Sequence, residues 1–250
     1  MDPFLRGSPR HFAAAALLLA LSSPAAAGPP FFTDDPEPVE RGHWEFYLAS
    51  QRLETGDGAS GTAPHIEVNY GAAKNLQLHL VAPAAFSRPE GGALNYGYGD
   101  TELGAKYRFL RETPGRPQAG IFPLVELPTG DAARGLGGGK AQVFLPLWLQ
   151  KSWGPWTSYA GAGYWINPGR GRKNWTYAGW LLQRDLSERL TLGGELFHRT
   201  PDAADGRRAT GFTAGGQVNF TAERHLLFSA GRDLSGPNRL TAYLAFQLTR

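Results

Sequence analysis

The chain alternates apolar and polar residues from about His43 to its last residue. Ile66, Val68 and Tyr70, for example, alternate with His65, Glu67 and Asn69. A period of two predicts β-strands with one apolar and one polar face. About twelve such strands are predicted, and they start near residues 43, 63, 75, 99, 118, 141, 156, 174, 189, 210, 225 and 239.

The connections between these runs alternate between tight and long. The tight ones lie near residues 70–75, 152–155, 186–189 and 221–224, and the long ones near 53–63, 83–98, 128–140, 166–173 and 199–208. Alternating strands alone would also suit an antiparallel sandwich. A regular change of connection length favours an all-β fold, an antiparallel transmembrane β-barrel with short periplasmic turns and longer extracellular loops.

The first 42 residues divide into two segments before the barrel of residues 43–250. Residues 1–27 resemble a cleavable secretory signal, with Arg6 and Arg10 before an apolar stretch and small residues at its end. The stretch is too short for a membrane-spanning helix, so strands must cross the outer membrane. Residues 28–42 contain four prolines and are predicted to form a periplasmic arm or plug. Its acids Asp34, Asp35 and Glu37 are candidates for a gate that rests on basic side chains of the lumen.

Aromatic residues support the barrel independently. Tyr70, Tyr107, Phe109 and Phe220 fall on the apolar face at the predicted periplasmic ends of strands, and Trp44 begins the first strand. Aromatic rings prefer the interface between membrane and water. The alternative explanation is that aromatic residues simply favour strands.

Composition and motifs exclude several function classes. The chain has no cysteine and a net charge of only +3, without a dense basic run, so we expect no thiol chemistry and no nucleic-acid partner. Neither a catalytic constellation nor a cluster with metal-ligand spacing is evident, so we expect no enzyme activity, no metal site and no cofactor. Outer-membrane lipid and a small-molecule solute are the expected partners.

The polar face of the strands predicts the chemistry of the lumen. Ionisable candidates for contact with a solute are Glu67, His79, Glu102, Lys106, Arg108, Glu126, Arg184 and Glu195. Side chains on one face of neighbouring strands are close enough to pair, so these groups could form salt-bridged rows that stiffen the wall. Alternatively, Lys106 and Arg108 could face Glu126 and Glu102 across a gap and orient a solute.

Aromatic side chains could line the lumen or its outer mouth. The candidates are Tyr96, Tyr98, Phe144, Trp148, Tyr164, Trp165, Trp175 and Trp180. Such rings could stack on an aromatic solute. Anchoring at the membrane interface is the other use of tryptophan in barrels, and we favour it for Trp165 and Trp175.

Three segments carry a family resemblance. Residues 97–110 read GYGDTELGAKYRFL, residues 32–36 read FTDDP before GHWE at 42–45, and residues 126–131 read ELPTGD. In this order they resemble the outer-membrane transporter family named after the meta pathway of phenol degradation. The resemblance implies an outer-membrane channel or transporter for small hydrophobic or aromatic compounds. The alternative is a closed structural barrel whose loops or arm bind a partner.

Overall fold

The structure is a closed antiparallel β-barrel. The computed structural model describes residues 30–250, so the predicted signal segment lies outside the described residues. Fourteen strand segments form one continuous sheet: β1 Trp44–Thr55, β2 Gly58–Ala73, β3 Leu76–Pro89, β4 Asn95–Tyr98, β5 Thr101–Leu110, β6 Gln118–Ile121, β7 Leu124–Leu127, β8 Gln142–Trp153, β9 Trp156–Ile166, β10 Trp175–Ser187, β11 Leu190–Arg199, β12 Ala209–Asn219, β13 Arg224–Ser235 and β14 Leu240–Thr249.

Two pairs of segments each make one barrel strand, so the barrel has the twelve strands that were predicted. β4 and β5 both pair with β3 and are separated at Gly99 and Asp100. β6 and β7 lie between β5 and β8 and are separated at Phe122 and Pro123. Proline has no N–H to donate, which explains an interruption at that point.

The first and last strands close the ring. β1 pairs with β14 from Glu45 opposite Thr249 to Glu54 opposite Leu240, and Arg250 N donates to the Trp44 carbonyl at 2.8 Å. A closed ring leaves no strand edge unpaired. The predicted fold class is therefore confirmed.

The two ends of the barrel differ. One end, which we call the turn end, carries both barrel termini and mostly tight connections. The other, the loop end, carries longer segments such as residues 128–141, which include a 3₁₀ turn at Ala132–Arg134. One expected long loop is absent: residues 53–63 mostly extend β1 and β2, which are joined by only Gly56 and Asp57. Gly58 supplies the positive φ of 134° that follows this tight connection.

Side-chain exposure follows the predicted alternation. In β1 the outward Trp44, Phe46 and Leu48 are exposed, whereas the inward Tyr47 and Ala49 are buried. Trp44 stacks on Tyr70 with ring centroids 4.3 Å apart. The outer surface is thus an apolar band with aromatic rings at the turn end. No helix in residues 30–250 is both long and apolar enough to cross a membrane.

Candidate functional site

The arm, residues 30–42, enters the lumen from the turn end and runs upward beside the wall. Val39 N donates to Gln77 Oε1 at 2.9 Å near the turn end. Farther along, Ser229 on β13 donates a hydrogen bond to the Pro30 carbonyl. Arm residues Thr33 and Asp35 are buried. The arm therefore fills the turn-end half of the lumen.

Ion pairs hold the acidic part of the arm against β5. Lys106 Nζ lies 3.0 Å from Asp34 Oδ1 and 3.5 Å from Asp35 Oδ2, and Arg108 lies 2.8 Å from Glu37. Burial raises the pKa of the Asp35 carboxyl, and the ammonium of Lys106 opposes that rise. In the structure, the acidic residues of the arm thus lie against two basic side chains of the lumen.

Glu195 on β11 fixes the inner end of the arm. Its carboxylate accepts hydrogen bonds from Phe32 N at 3.2 Å and Thr33 N at 2.5 Å. It also accepts from the hydroxyls of Tyr177 and Thr213, both at 2.7 Å. Only 1 % of Glu195 is exposed, so its charge is compensated by four donors rather than by water. Two of these donors come from the arm.

The barrel wall is recessed where the arm passes. A Cβ added at Gly71 would overlap the Glu40 carbonyl, and one added at Gly179 would overlap the Thr33 hydroxyl. Glycine in a strand interior often marks a close approach of another backbone. These two glycines therefore allow the arm to lie directly on the wall.

Above the arm, acidic side chains line one side of the lumen. His79 on β3 joins two of them: its Nε2 lies 2.9 Å from Glu102 and its Nδ1 lies 3.6 Å from Glu67. Asn69 bridges the same groups, since it donates to Glu67 at 2.8 Å and contacts His79 at 2.7 Å. This is a cross-strand row of the kind expected from the sequence.

Glu126 extends the acidic side onto β7. It lies directly opposite Glu102 in the pairing of β5 with β7, and it accepts a hydrogen bond from Gln142 at 3.0 Å. Two carboxylates opposite each other on one sheet face repel when both are charged. This part of the lumen therefore has a strongly acidic surface.

Aromatic rings line the adjoining side of the lumen. Phe144, Trp165 and Trp175 are cross-strand neighbours on β8, β9 and β10. The Phe144 and Trp165 rings stack 4.7 Å apart, and the Trp165 and Trp175 rings stack 5.6 Å apart. We call these three rings the aromatic ladder. Both tryptophans line the lumen, which corrects their interpretation as interface anchors. Trp175 lies on the same face of β10 as buried Tyr177, and Trp165 lies opposite Trp175 on β9.

The acidic side and the aromatic ladder enclose one cavity, which we call the vestibule. Its volume is about 470 Å³. Pro30, Phe31 and Phe32 of the arm line it, together with residues at the loop end of the strands. Phe32 also packs edge-on against Phe197, with centroids 5.2 Å apart. Part of the vestibule surface is thus supplied by the arm and not by the barrel wall.

Seven of the eight ionisable lumen candidates point inward, and one does not. Arg184 is exposed on the outer face and lies over the Trp156 ring at 5.1 Å. Its neighbour Gln183 takes the inward position, where its side-chain Nε2 donates a hydrogen bond to the Tyr159 hydroxyl at 3.0 Å. A charged residue can face outward here because Arg184 is close to the turn end, where the apolar band stops.

The structure corrects the expected partners of two basic residues and adds one residue that was not predicted. Lys106 and Arg108 do not face Glu102 and Glu126, since they lie on the same strand as Glu102 and bind the arm instead. Tyr177, which contacts both Glu195 and Thr33, was missed by the sequence analysis. The alternation of β10 from Trp175 onward is the signal that could have identified it.

Comparisons with known proteins concern the fold. No family model and no curated protein matches the sequence. Among solved structures, an outer membrane channel from Pseudomonas putida F1 superposes with a TM-score of 0.72 at 18 % identity, covering 86 % of this chain and 98 % of that one. The fold is that of outer-membrane barrels. The KdgM and NanC porins superpose with TM-scores of 0.57 and 0.54 at 8 % and 6 % identity, each covering 81 % of this chain and 98 % of theirs.

Proposed function

We propose that this protein is an outer-membrane channel for small hydrophobic or aromatic compounds, closed in the present state by its own arm. The observation that carries the proposal is the composition of the vestibule. Its walls belong to the barrel, but Phe31 and Phe32 belong to the arm. Withdrawal of the arm would therefore connect the vestibule with the turn end.

The way the arm is held supports its removal without damage to the barrel. No arm residue belongs to a strand, and the wall strands pair only with one another. Ion pairs with Lys106 and Arg108 and hydrogen bonds with Glu195 hold the arm instead. These contacts can be exchanged for water, whereas a broken strand pair would leave backbone groups unsatisfied in lipid.

The outer surface supports placement in a membrane. Exposed leucines such as Leu48, Leu145 and Leu244 face outward in the middle of their strands, and aromatic rings flank them at the turn end. If residues 1–27 direct export as predicted, the turn end faces the periplasm and the loop end faces the medium. This orientation follows the usual arrangement of short periplasmic turns in such barrels.

The solute class is supported by the aromatic ladder and by the family resemblance of residues 97–110. Apolar surface with a few polar groups is typical of sites for small molecules. An aromatic compound could contact the ladder and leave its polar substituent toward the acidic side.

A closed barrel that binds a partner is the second candidate. The ordered loop of residues 128–141 favours it, since Asp100 holds this loop through Gly130 N at 2.9 Å and Gly138 N at 2.5 Å. Leu136 of the same loop is buried. A loop fixed in this way offers a defined surface at the loop end.

An arm locked by a disulfide distinguishes the two functions. The natural chain has no cysteine, so the pair Pro36→Cys and Gly120→Cys would be unambiguous; a Cβ at Gly120 would lie 2.9 Å from the Pro36 Cβ. A disulfide prefers about 3.8 Å between Cβ atoms, so the arm would shift slightly. The same Cβ would lie 2.8 Å from the Tyr107 carbonyl oxygen of the wall, and the single Gly120→Cys variant therefore also reports any effect of that contact. Conductance in planar bilayers would be measured before and after reduction, beside a variant lacking residues 28–41.

If the protein is a channel, the double-cysteine variant should conduct no current when its disulfide is formed and should conduct after reduction. The variant that lacks residues 28–41 should conduct a larger steady current. Each single cysteine variant is the control, because it cannot form the lock. Silence of all variants, from protein shown to be folded and inserted, would contradict the channel and favour the closed barrel.

A further inference from the structure

The vestibule places two different chemistries side by side. Glu126 on β7 pairs with Gln142, two residues before Phe144, and Leu124 pairs with Phe144 itself. The acidic side therefore directly adjoins the first ring of the aromatic ladder. A single small solute can contact both surfaces at once.

The ladder presents a particular part of its rings. Its members stack nearly parallel, with interplanar angles of 15° and 9°. Arg199 lies over Trp175 at 5.6 Å and covers that end of the stack. Because the ring faces contact one another, a solute meets the ring edges, whose hydrogens carry partial positive charge. Such edges attract the face of another aromatic ring.

The charge of the vestibule favours a cation beside that ring. Five carboxylates line it, against three guanidinium groups. Of those three, Arg239 is paired with Asp233 at 3.0 Å, and Arg199 covers Trp175. Arg232 is exposed and donates a hydrogen bond to Asn238 at 2.5 Å. Glu126, by contrast, has only an amide as its hydrogen-bond partner among the described residues, and it lies opposite Glu102. A cation between these two carboxylates would relieve their repulsion.

We propose that the vestibule binds solutes in which an aromatic ring carries a cationic hydrogen-bond donor, such as protonated arylalkylamines. The ring lies on the ladder edges and the ammonium lies between Glu102 and Glu126. This solute class rests on the proposed channel function, but binding does not require the arm to leave, since the vestibule extends to the loop end. Binding and conduction can therefore be tested separately.

A buried guanidinium group in the vestibule favours an anionic solute instead, so the test compares solutes of both charges. The Nη2 group of Arg239 is buried without a hydrogen-bond partner among residues 30–250, and Arg239 lines the same cavity. An aromatic carboxylate could satisfy it. The probes are therefore three compounds of similar size at pH 7: 2-phenylethylammonium, 2-phenylethanol and phenylacetate.

The experiment is calorimetric titration of the full mature protein in detergent with each probe. We expect 2-phenylethylammonium to bind on the order of tenfold more tightly than 2-phenylethanol, since one ion pair near a wet lumen contributes about this much. Glu126→Gln should remove that preference and leave 2-phenylethanol binding unchanged. Trp165→Ala should weaken all three probes. Glu90→Gln, which changes an exposed acid outside the vestibule, should have no effect.

Equal binding of the three probes, or a preference for phenylacetate, would overturn the cationic solute class and leave the channel proposal to the conductance test. A preference for the ammonium that survives in Glu126→Gln would also overturn it, because the charge would then be recognised elsewhere. Heat-modified mobility on gels would establish that each variant is folded.

Discussion

Replacement of Glu195 by glutamine should loosen the arm and leave the wall intact. One carboxylate oxygen accepts from Thr33 N and the Tyr177 hydroxyl, and the other accepts from Phe32 N and the Thr213 hydroxyl. Glutamine keeps one oxygen and replaces the other with an NH₂ group. The hydroxyl of Thr213 can rotate to accept from that group, but Phe32 N can only donate.

The size of the effect follows from this single orphaned donor. A hydrogen bond to a charged group contributes roughly 1.5–3 kcal/mol, and Glu195→Gln removes one such bond with Phe32 N. A loss of about 2 kcal/mol would raise the ratio of undocked to docked arm roughly 30-fold. The pairing of the barrel strands should be unaffected, because the Glu195 carboxylate contacts the wall through the side-chain hydroxyls of Tyr177 and Thr213.

A buried cysteine on the arm would report this ratio. Pro36 is less than 2 % exposed, so a Pro36→Cys thiol should react with a maleimide only when the arm undocks. The labelling rate should rise roughly 30-fold when Glu195→Gln is added. Glu112→Gln is the matched control, since Glu112 pairs with Lys151 outside the lumen. A labelling rate that stays within twofold of the parent, in folded protein, would refute the reasoning.

Two further changes should act on the same arm. Gly179→Val should displace Thr33, whose hydroxyl occupies the space of the new side chain. This variant has no engineered disulfide, so bilayer recordings should show current without a reducing agent. Absence of current would mean that the wall moves and the arm stays in place. Lys106→Met should leave the buried carboxylate of Asp35 without its ammonium partner, at a cost of roughly 3–5 kcal/mol if the arm stays. Maleimide labelling at Pro36→Cys should therefore approach the rate of unfolded protein, and slow labelling would contradict the role assigned to the ion pairs.

The sequence predicted the wall much better than it predicted the lumen. Alternation fixes which face of a strand is apolar, so inward positions such as Glu67 and Glu195 were identified from a local pattern. The exceptions lie where that pattern weakens. Arg184 is charged but faces outward near the turn end. β2 begins at Gly58 and not near residue 63, and its first part was not predicted because the small residues there show no clear alternation.

Partners across the lumen depend on information that no local pattern contains. Lys106 and Arg108 were expected to face carboxylates of the wall, but the arm brings Asp34 and Glu37 closer. Trp165 and Trp175 suit both the interface and the lumen by composition. Their stacking is determined by the register of β9 with β10, which places them opposite each other, and register is specified by the whole sheet.

The path of the arm also has a consequence for the order of folding. The arm precedes β1, yet its contact between Pro30 and Ser229 spans 199 residues, and its contacts with Glu195 span 163 and 162 residues. Contacts of such separation form late, because the chain between them must first be ordered. Strands β11 and β13 must therefore be in place before the arm can seat, so the lumen is filled only after most of the wall exists. A newly assembled barrel passes through an unplugged stage, and its first closure is a maturation step.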